Sequence, residues 1–288
     1  MVKQLKIVLH SLILGMLVFA NSLYAEMLGV TNGDGESGGE LVSIDLTTGA
    51  ATLIGPLPIT MTEAVYDSAN QLLYAQGSNG SFVMYLIDPT DGTEISQVST
   101  SGAYNGMEFV GGTLYASMIT GGGGLSDLVT VDPVTGVATI IGPTGYPGIT
   151  GLAYDSASST MYGVVGGGST SSGSLVTIDM TTGVATMVGP TGFIKVGSIE
   201  FGQDGNLYGA LTSSDSSAPT SLIMVNTSTG TGTEVGITTY SVTGLAETVL
   251  VEDSGGPSIP VPTLSVWALI MFIVLIGMLG FVRLHRRV

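Results

Sequence analysis

The 288 residues carry 22 acidic and 6 basic side chains, for a net charge of −16, and include no cysteine. Every acid lies between Glu26 and Asp253, where Lys195 is the only base, so that span carries about −21 and repels nucleic acid and anionic lipid. Both histidines, His10 and His285, fall outside it. This excludes disulfides, Ser-His-Asp and Cys-His chemistry and the usual zinc and copper ligands, leaving carboxylates, hydroxyls and tyrosines.

In chain order, residues 1–25 come first. Lys3 and Lys6 precede an apolar run from Ile7 to Ala20, then Asn21-Ser-Leu-Tyr-Ala25. A basic start, a short apolar stretch and a small residue at the end predict a signal peptide cleaved after Ala25.

Residues 26–252 are repetitive. Leu41-Val-Ser-Ile-Asp45-Leu-Thr-Thr-Gly49 runs on to Gly55-Pro56, and it recurs from Leu128 through Asp132 and Gly136 to Gly142-Pro143. A third copy runs from Leu175 through Asp179 and Gly183 to Gly189-Pro190, and looser copies surround Asp88 and Asn226. The anchors at 45, 88, 132, 179 and 226 are 43, 44, 47 and 47 residues apart. Each copy alternates β-branched and polar residues on both sides of its anchor, which predicts a β-hairpin. The Asp or Asn accepts backbone bonds across the turn, and the glycine four residues on takes positive φ. A calcium loop needs several oxygen ligands close together, whereas each turn offers about one carboxylate.

A second hairpin precedes each anchor, as in Gly151-Leu-Ala-Tyr-Asp155 leading to Met161-Tyr-Gly-Val-Val165. Four strands per unit of about 45 residues is the period of a β-propeller blade. The first unit lacks its first strand, and an orphan Val242-Thr-Gly-Leu-Ala246 at the far end matches Ile149-Thr-Gly-Leu-Ala153. The fold class is therefore all-β, a five-bladed propeller closed by a C-terminal strand; an open solenoid would leave the two part-blades unpaired.

Aligned on the aromatic of the innermost strand, Glu108 and Glu200 share one position, and Glu63 falls two residues earlier on the same side. Convergence of the three near the axis would suit ligand or cation binding, Ca²⁺ included, or paired-carboxylate glycoside hydrolysis. The plain alternative is that they line a wet channel mouth. Gly121–Gly124 and Gly166–Gly168 lack the lysine and the strand-to-helix context of a phosphate loop.

Residues 253–265 form a linker ending in Ile259-Pro-Val-Pro262-Thr263-Leu264-Ser265, and Trp267 opens an apolar stretch up to Val282. Arg283, Arg286 and Arg287 follow. Residues 266–288 thus read as a membrane helix with a basic cytoplasmic stop and its N-terminal side outside. This tail resembles the IPTL-CTERM sorting domain, a relative of the PEP-CTERM tails. The matching residues are Pro262, Thr263, Leu264, Ser265 and Trp267, then the helix and the arginines. Val261, Val266 and Ala268 depart from the usual pattern. The resemblance implies export, a single-pass membrane intermediate and processing by an inner-membrane sorting enzyme of exosortase type. For the propeller it implies nothing; the composition leaves a non-enzymatic module binding a surface polysaccharide or protein, or else a carboxylate-dependent glycosidase or lyase.

Overall fold

The computed structural model describes residues 27–248, except 34–37, 78–79, 81, 121–123, 167–172 and 213–218. The predicted signal peptide, sorting motif, membrane helix and arginine stop lie outside the described residues. Among the described residues, no helix is long and apolar enough to cross a membrane.

Twenty strands make five sheets of four. Blade 1 takes β1 (Met27–Thr31), β2 (Glu40–Ile44) and β3 (Ala51–Pro56). Blade 2 is β4 (Met61–Asp67), β5 (Leu72–Gly77), β6 (Val83–Ile87) and β7 (Glu94–Ser99). Blade 3 is β8 (Tyr104–Val110), β9 (Thr113–Ile119), β10 (Leu125–Val131) and β11 (Ala138–Pro147). Blade 4 is β12 (Ile149–Asp155), β13 (Thr160–Val165), β14 (Ser174–Ile178) and β15 (Ala185–Pro190). Blade 5 is β16 (Val196–Phe201), β17 (Leu207–Leu211), β18 (Ser221–Val225) and β19 (Gly232–Ile237). The orphan strand β20 (Val242–Glu247) pairs antiparallel with β1, placing Leu28 opposite Ala246, and completes blade 1 in the order β20-β1-β2-β3. The five blades and their C-terminal closing strand are as the repeat predicts.

The core consists of five layers, one between each pair of neighbouring blades. Leu41, Met61 and Leu73 fill the layer between blades 1 and 2; Val65, Met107 and Val129 fill the next. Leu128 meets Ile149, Ala153 meets Ile199, and Leu222 meets Leu245 around the rest of the ring. Strand alternation explains this: successive side chains project to opposite faces of a blade, and each face abuts a neighbour.

The anchor turns form as expected. Asp179 Oδ1 accepts the N–H groups of Thr181 and Thr182 at 2.8 and 3.0 Å, and Asp45, Asp132 and Asn226 repeat the pattern. Gly183 has φ +80°. The turn glycine has a second duty that local turn chemistry does not reveal. A Cβ on Gly183 would lie closer than 3.0 Å to the backbone of Gly142 in blade 3, and one on Gly142 would strike the Thr182 carbonyl in return. Gly230 with Gly189, Gly49 with Gly236 and Gly92 with Gly55-Pro56 repeat this mutual approach. The two glycines of the repeat are thus halves of an interblade joint at the rim.

Antiparallel strands alternate in direction, so all Asp-anchored turns lie on one face of the disc. That face also carries Asp67, Asp155 and Asp204 in the turns ending β4 and β12 and following β16, so every blade contributes an aspartate to it. Lys195, in the link between β15 and β16, lies on the opposite face.

Candidate functional site

The five innermost strands β4, β8, β12, β16 and β20 surround the axis. On the link-face side they approach closely: a Cβ on Gly106 would strike the backbone of Gly151, one on Gly151 that of Ser198-Ile199, and one on Gly244 that of Glu63-Ala64. These positions correspond in register, as the pairings Gly106↔Ser117, Gly151↔Val164, Ser198↔Ala210 and Glu63↔Gln76 show. Glycine permits the backbones to close at that level. Glu63 is the one large side chain there, and it is only 1% exposed.

Ser198 explains where Glu63 goes. Its hydroxyl donates to Glu63 Oε1 at 3.0 Å, from blade 5 to blade 2, and accepts the Leu245 N–H at 3.1 Å. Since blade 1 stands between those two blades, the bond reaches across the axis. Burial raises the Glu63 carboxyl well above its usual range; the Ser198 and Ala64 hydrogen bonds act against this, and the charge of Glu200 adds to it. Glu63 therefore plugs the axis rather than lining a wet channel.

Glu108 and Glu200 lie two residues nearer the turn face, each paired with a tyrosine, Tyr115 and Tyr208. Glu200 is 7% exposed, and its Oε1 accepts the Phe201 N–H at 2.8 Å. Burial pushes its carboxyl up to about 8, against the pull of the Phe201 and Glu247 backbone N–H groups. Glu108 is half-buried and has no hydrogen bond that lowers it. Burial and then the charges of Glu200, Glu247 and Glu63 hold it well above the usual carboxylate range. The carboxylates expected to converge are thus electrostatic neighbours.

A fourth member escapes the sequence alignment. Glu247, half-buried at the end of β20, has its carboxyl raised to about 7 by burial and by Asp204. Its register partner Met27 puts it at the aromatic position held by Phe201 in blade 5. Matching the orphan strand one residue beyond Ala246 exposes it. β12 brings only Gly151 and Ala153 to these positions, so the cluster is lopsided toward blades 1, 2, 3 and 5.

Chemically, the arrangement keeps protons at neutral pH that isolated carboxyls give up. Glu63 Oε2 and Glu108 Oε2 are buried without a hydrogen-bond partner. Among the described residues, no group of three or more His, Cys, Asp or Glu is placed to hold a metal ion.

Comparison with known proteins bears on the tail. Residues 259–287 match the IPTL-CTERM motif. The motif is a sorting signal, fitting export and surface display, and it contains the predicted Pro262, Thr263, Leu264, Ser265 and Trp267 and all three tail arginines. No curated protein matches the chain. Among solved structures, a chain in the crystal structure of the nidogen/laminin complex is similar, with a TM-score of 0.48 and 13% identity, over 78% of this chain and 86% of that one.

Proposed function

We propose that the chain is an exported surface or extracellular-matrix protein whose propeller binds or scaffolds other surface components without catalysis. An inner-membrane sorting enzyme of exosortase type processes its tail. The carrying observation is the IPTL-CTERM motif at residues 259–287 on a chain whose 26–252 span has no histidine or cysteine. Burial of the axial carboxyls supports the non-catalytic reading, because Glu63 at 1% exposure is out of a substrate's reach. Intact-mass measurement of the surface-released protein tests the sorting: the expected product lacks everything beyond about Thr263, and a released protein retaining residues 266–288 overturns it.

One observation favours a second reading, a carboxylate-dependent glycosidase or lyase. Glu108 lies beside Glu200, whose charge helps to raise it; two neighbouring carboxyls are what glycoside hydrolysis requires. Turnover of any neutral polysaccharide by the wild-type protein, lost in Glu108→Gln, would establish it over the binding reading.

A further inference from the structure

The outermost strand of each blade is paired on one side only, as in the order β4-β5-β6-β7, and a free edge invites another strand. Four of the five edges are blunted. Gly55, Gly142, Gly189 and Gly236 lie tight against the turn of the next blade. In β3, β11 and β15 a proline, which has no N–H, follows that glycine: Pro56, Pro143 and Pro190. β7 has neither device. Its corresponding pair is Val98-Ser99, and Ser96–Ser99 runs in regular register against Val83–Leu86. That stretch has no charge and no proline, so nothing along it deters a further strand.

A cavity of about 330 Å³ opens beside this edge. Val98, Leu86, Met84 and Tyr74 line it from blade 2, and Pro133 and Val134 line it from the turn of blade 3. Leu46 and Met180 hold the place of Pro133 in the turns of blades 1 and 4, and they pack into the cores of their seams. The proline ring reaches less far and leaves space. Val134 is 83% exposed. Only Ser96 and Gln97 add polar side chains besides the Tyr74 hydroxyl. The volume is at the small end of ligand pockets, which span about 300–1,000 Å³, so it suits one side chain or one ring. A hydroxylated sugar ring would set several polar groups against hydrocarbon without partners, which is costly; an apolar side chain would not.

Charge specifies the partner further. Asp91 precedes β7, Glu94 opens it and Asp132 precedes Pro133, so the turn-face end of the cavity is acidic. Backbone N–H groups, first those of Thr93 and Val134, hold Asp91 and Asp132 below the usual carboxylate range. A second copy of this chain would bring the same negative charge, and Lys195, its one base between Glu26 and Asp253, lies on the face opposite these acids. Like charge disfavours that pairing. We propose that the β7 edge and its cavity bind an extended segment of a basic polypeptide. The segment adds a fifth strand to blade 2, one of its apolar side chains fills the cavity, and a neighbouring lysine or arginine meets the acids. This rests on reading the propeller as a binding module, and it names the site and the chemistry of the partner.

Fluorescence anisotropy of the labelled peptide Lys-Thr-Lys-Thr-Leu-Thr-Lys-Thr-Lys, titrated with the full chain, tests the proposal. The expected result is a single site. Serine in place of the peptide's leucine weakens it about tenfold or more, because the buried apolar group is lost. Glutamate in place of its lysines weakens it about tenfold or more at low salt. Ser96→Phe, which fills the cavity, has an effect of about the same size, and Val134→Ser costs about threefold or more, whereas Val184→Ser, outside the cavity, changes affinity less than about twofold. Should Ser96→Phe unfold, Val134→Ser still decides, since that side chain is 83% exposed. N-methylation of the peptide's leucine, or of its threonines, removes alternate N–H donors of the added strand, so one of the two peptides loses binding. Equal binding by both overturns the strand. Competition by glucose overturns the apolar side chain in favour of a sugar, and self-association of the chain that is lost in Val134→Ser overturns the foreign partner in favour of a second copy. An unchanged anisotropy overturns the site altogether. Sorting is read by mass and turnover through Glu108→Gln, both independent of Val134, so that failure leaves the surface assignment standing.

Discussion

Neighbouring blades are joined twice, at the rim and at the axis, by opposite chemistry. At the rim, pairs such as Gly142 and Gly183 bring bare backbones together with no side chain and nothing to titrate. At the axis, Glu63, Glu108, Glu200 and Glu247 meet with their carboxyls raised by burial and by one another. The glycine contact is steric, and pH reaches it only through the aspartates that anchor its turns, whereas the axial joint is itself made of titrating groups. One seam departs from the rim rule. Between blades 2 and 3, β7 has Val98, paired with Met84, where the other outer strands have glycine. Ser101 and Tyr104 take over there, the Tyr104 hydroxyl donating to the Gly136 carbonyl at 2.9 Å. A cavity of about 330 Å³ opens beside it, lined by Tyr74, Leu86, Val98 and Val134 among others.

The largest effect expected is at a locked seam. Gly183→Val places a branched side chain at φ +80° against the Gly142 backbone. Positive-φ strain and overpacking each cost about 1–3 kcal/mol, so about 3 kcal/mol or more of stability is lost in urea unfolding. Val98→Ala, at the seam with no glycine pair, should cost less than half as much. Equal losses would mean that the rim joint is not what holds the blades together.

The pH profile separates the two joints next. Glu200 carries its proton up to about 8 in the folded protein, against 4.5 as the unperturbed value, so the folded state holds more protons in between. Stability then falls as pH rises through that window. The rim turns act on the other flank: Asp132 and Asp179 are lowered from 3.8 by the backbone N–H groups they accept, so their contribution is lost as pH falls below about 4. Melting temperature should therefore peak between about pH 4 and 5. Glu200→Gln should make the alkaline side shallower and leave the acid side unchanged; an unaltered alkaline slope would place its cause at groups other than Glu200.

A smaller effect tests the substitute joint. Tyr104→Phe removes the bond to the Gly136 carbonyl, which still accepts the Ser101 N–H at 3.2 Å. A loss of about 1 kcal/mol is expected. A loss above about 3 kcal/mol would show that this hydroxyl does the work of the glycine pairs elsewhere.

How much of this the chain discloses depends on the range of the interaction. The blade count, the turn anchors and the closing strand are local patterns repeated along the sequence, and they are readable there. Glu63, Glu108 and Glu200 are readable as candidates because strand alternation is local as well. The role of Ser198 is not: it bonds a residue 135 positions away, and only closure of the ring brings the two together. Glu247 is hidden for a related reason, since it occupies an aromatic position in a strand with no hairpin partner after it. The second duty of the turn glycines likewise appears only when the next blade is in place.

The smallest expected effect concerns what the anchors are for. Asn226 performs in blade 5 what Asp179 performs in blade 4: its Oδ1 accepts two backbone N–H groups at 2.9 and 3.0 Å, against 2.8 and 3.0 Å. The turn therefore needs a side-chain oxygen at that spacing, and charge is secondary. Asn226→Asp should shift stability by less than about 0.5 kcal/mol at pH 7 and make the acid flank of the profile slightly steeper. A clear gain at pH 7 would mean that the anchors are held electrostatically, and the division between a steric rim and a titrating axis would then fail at the rim.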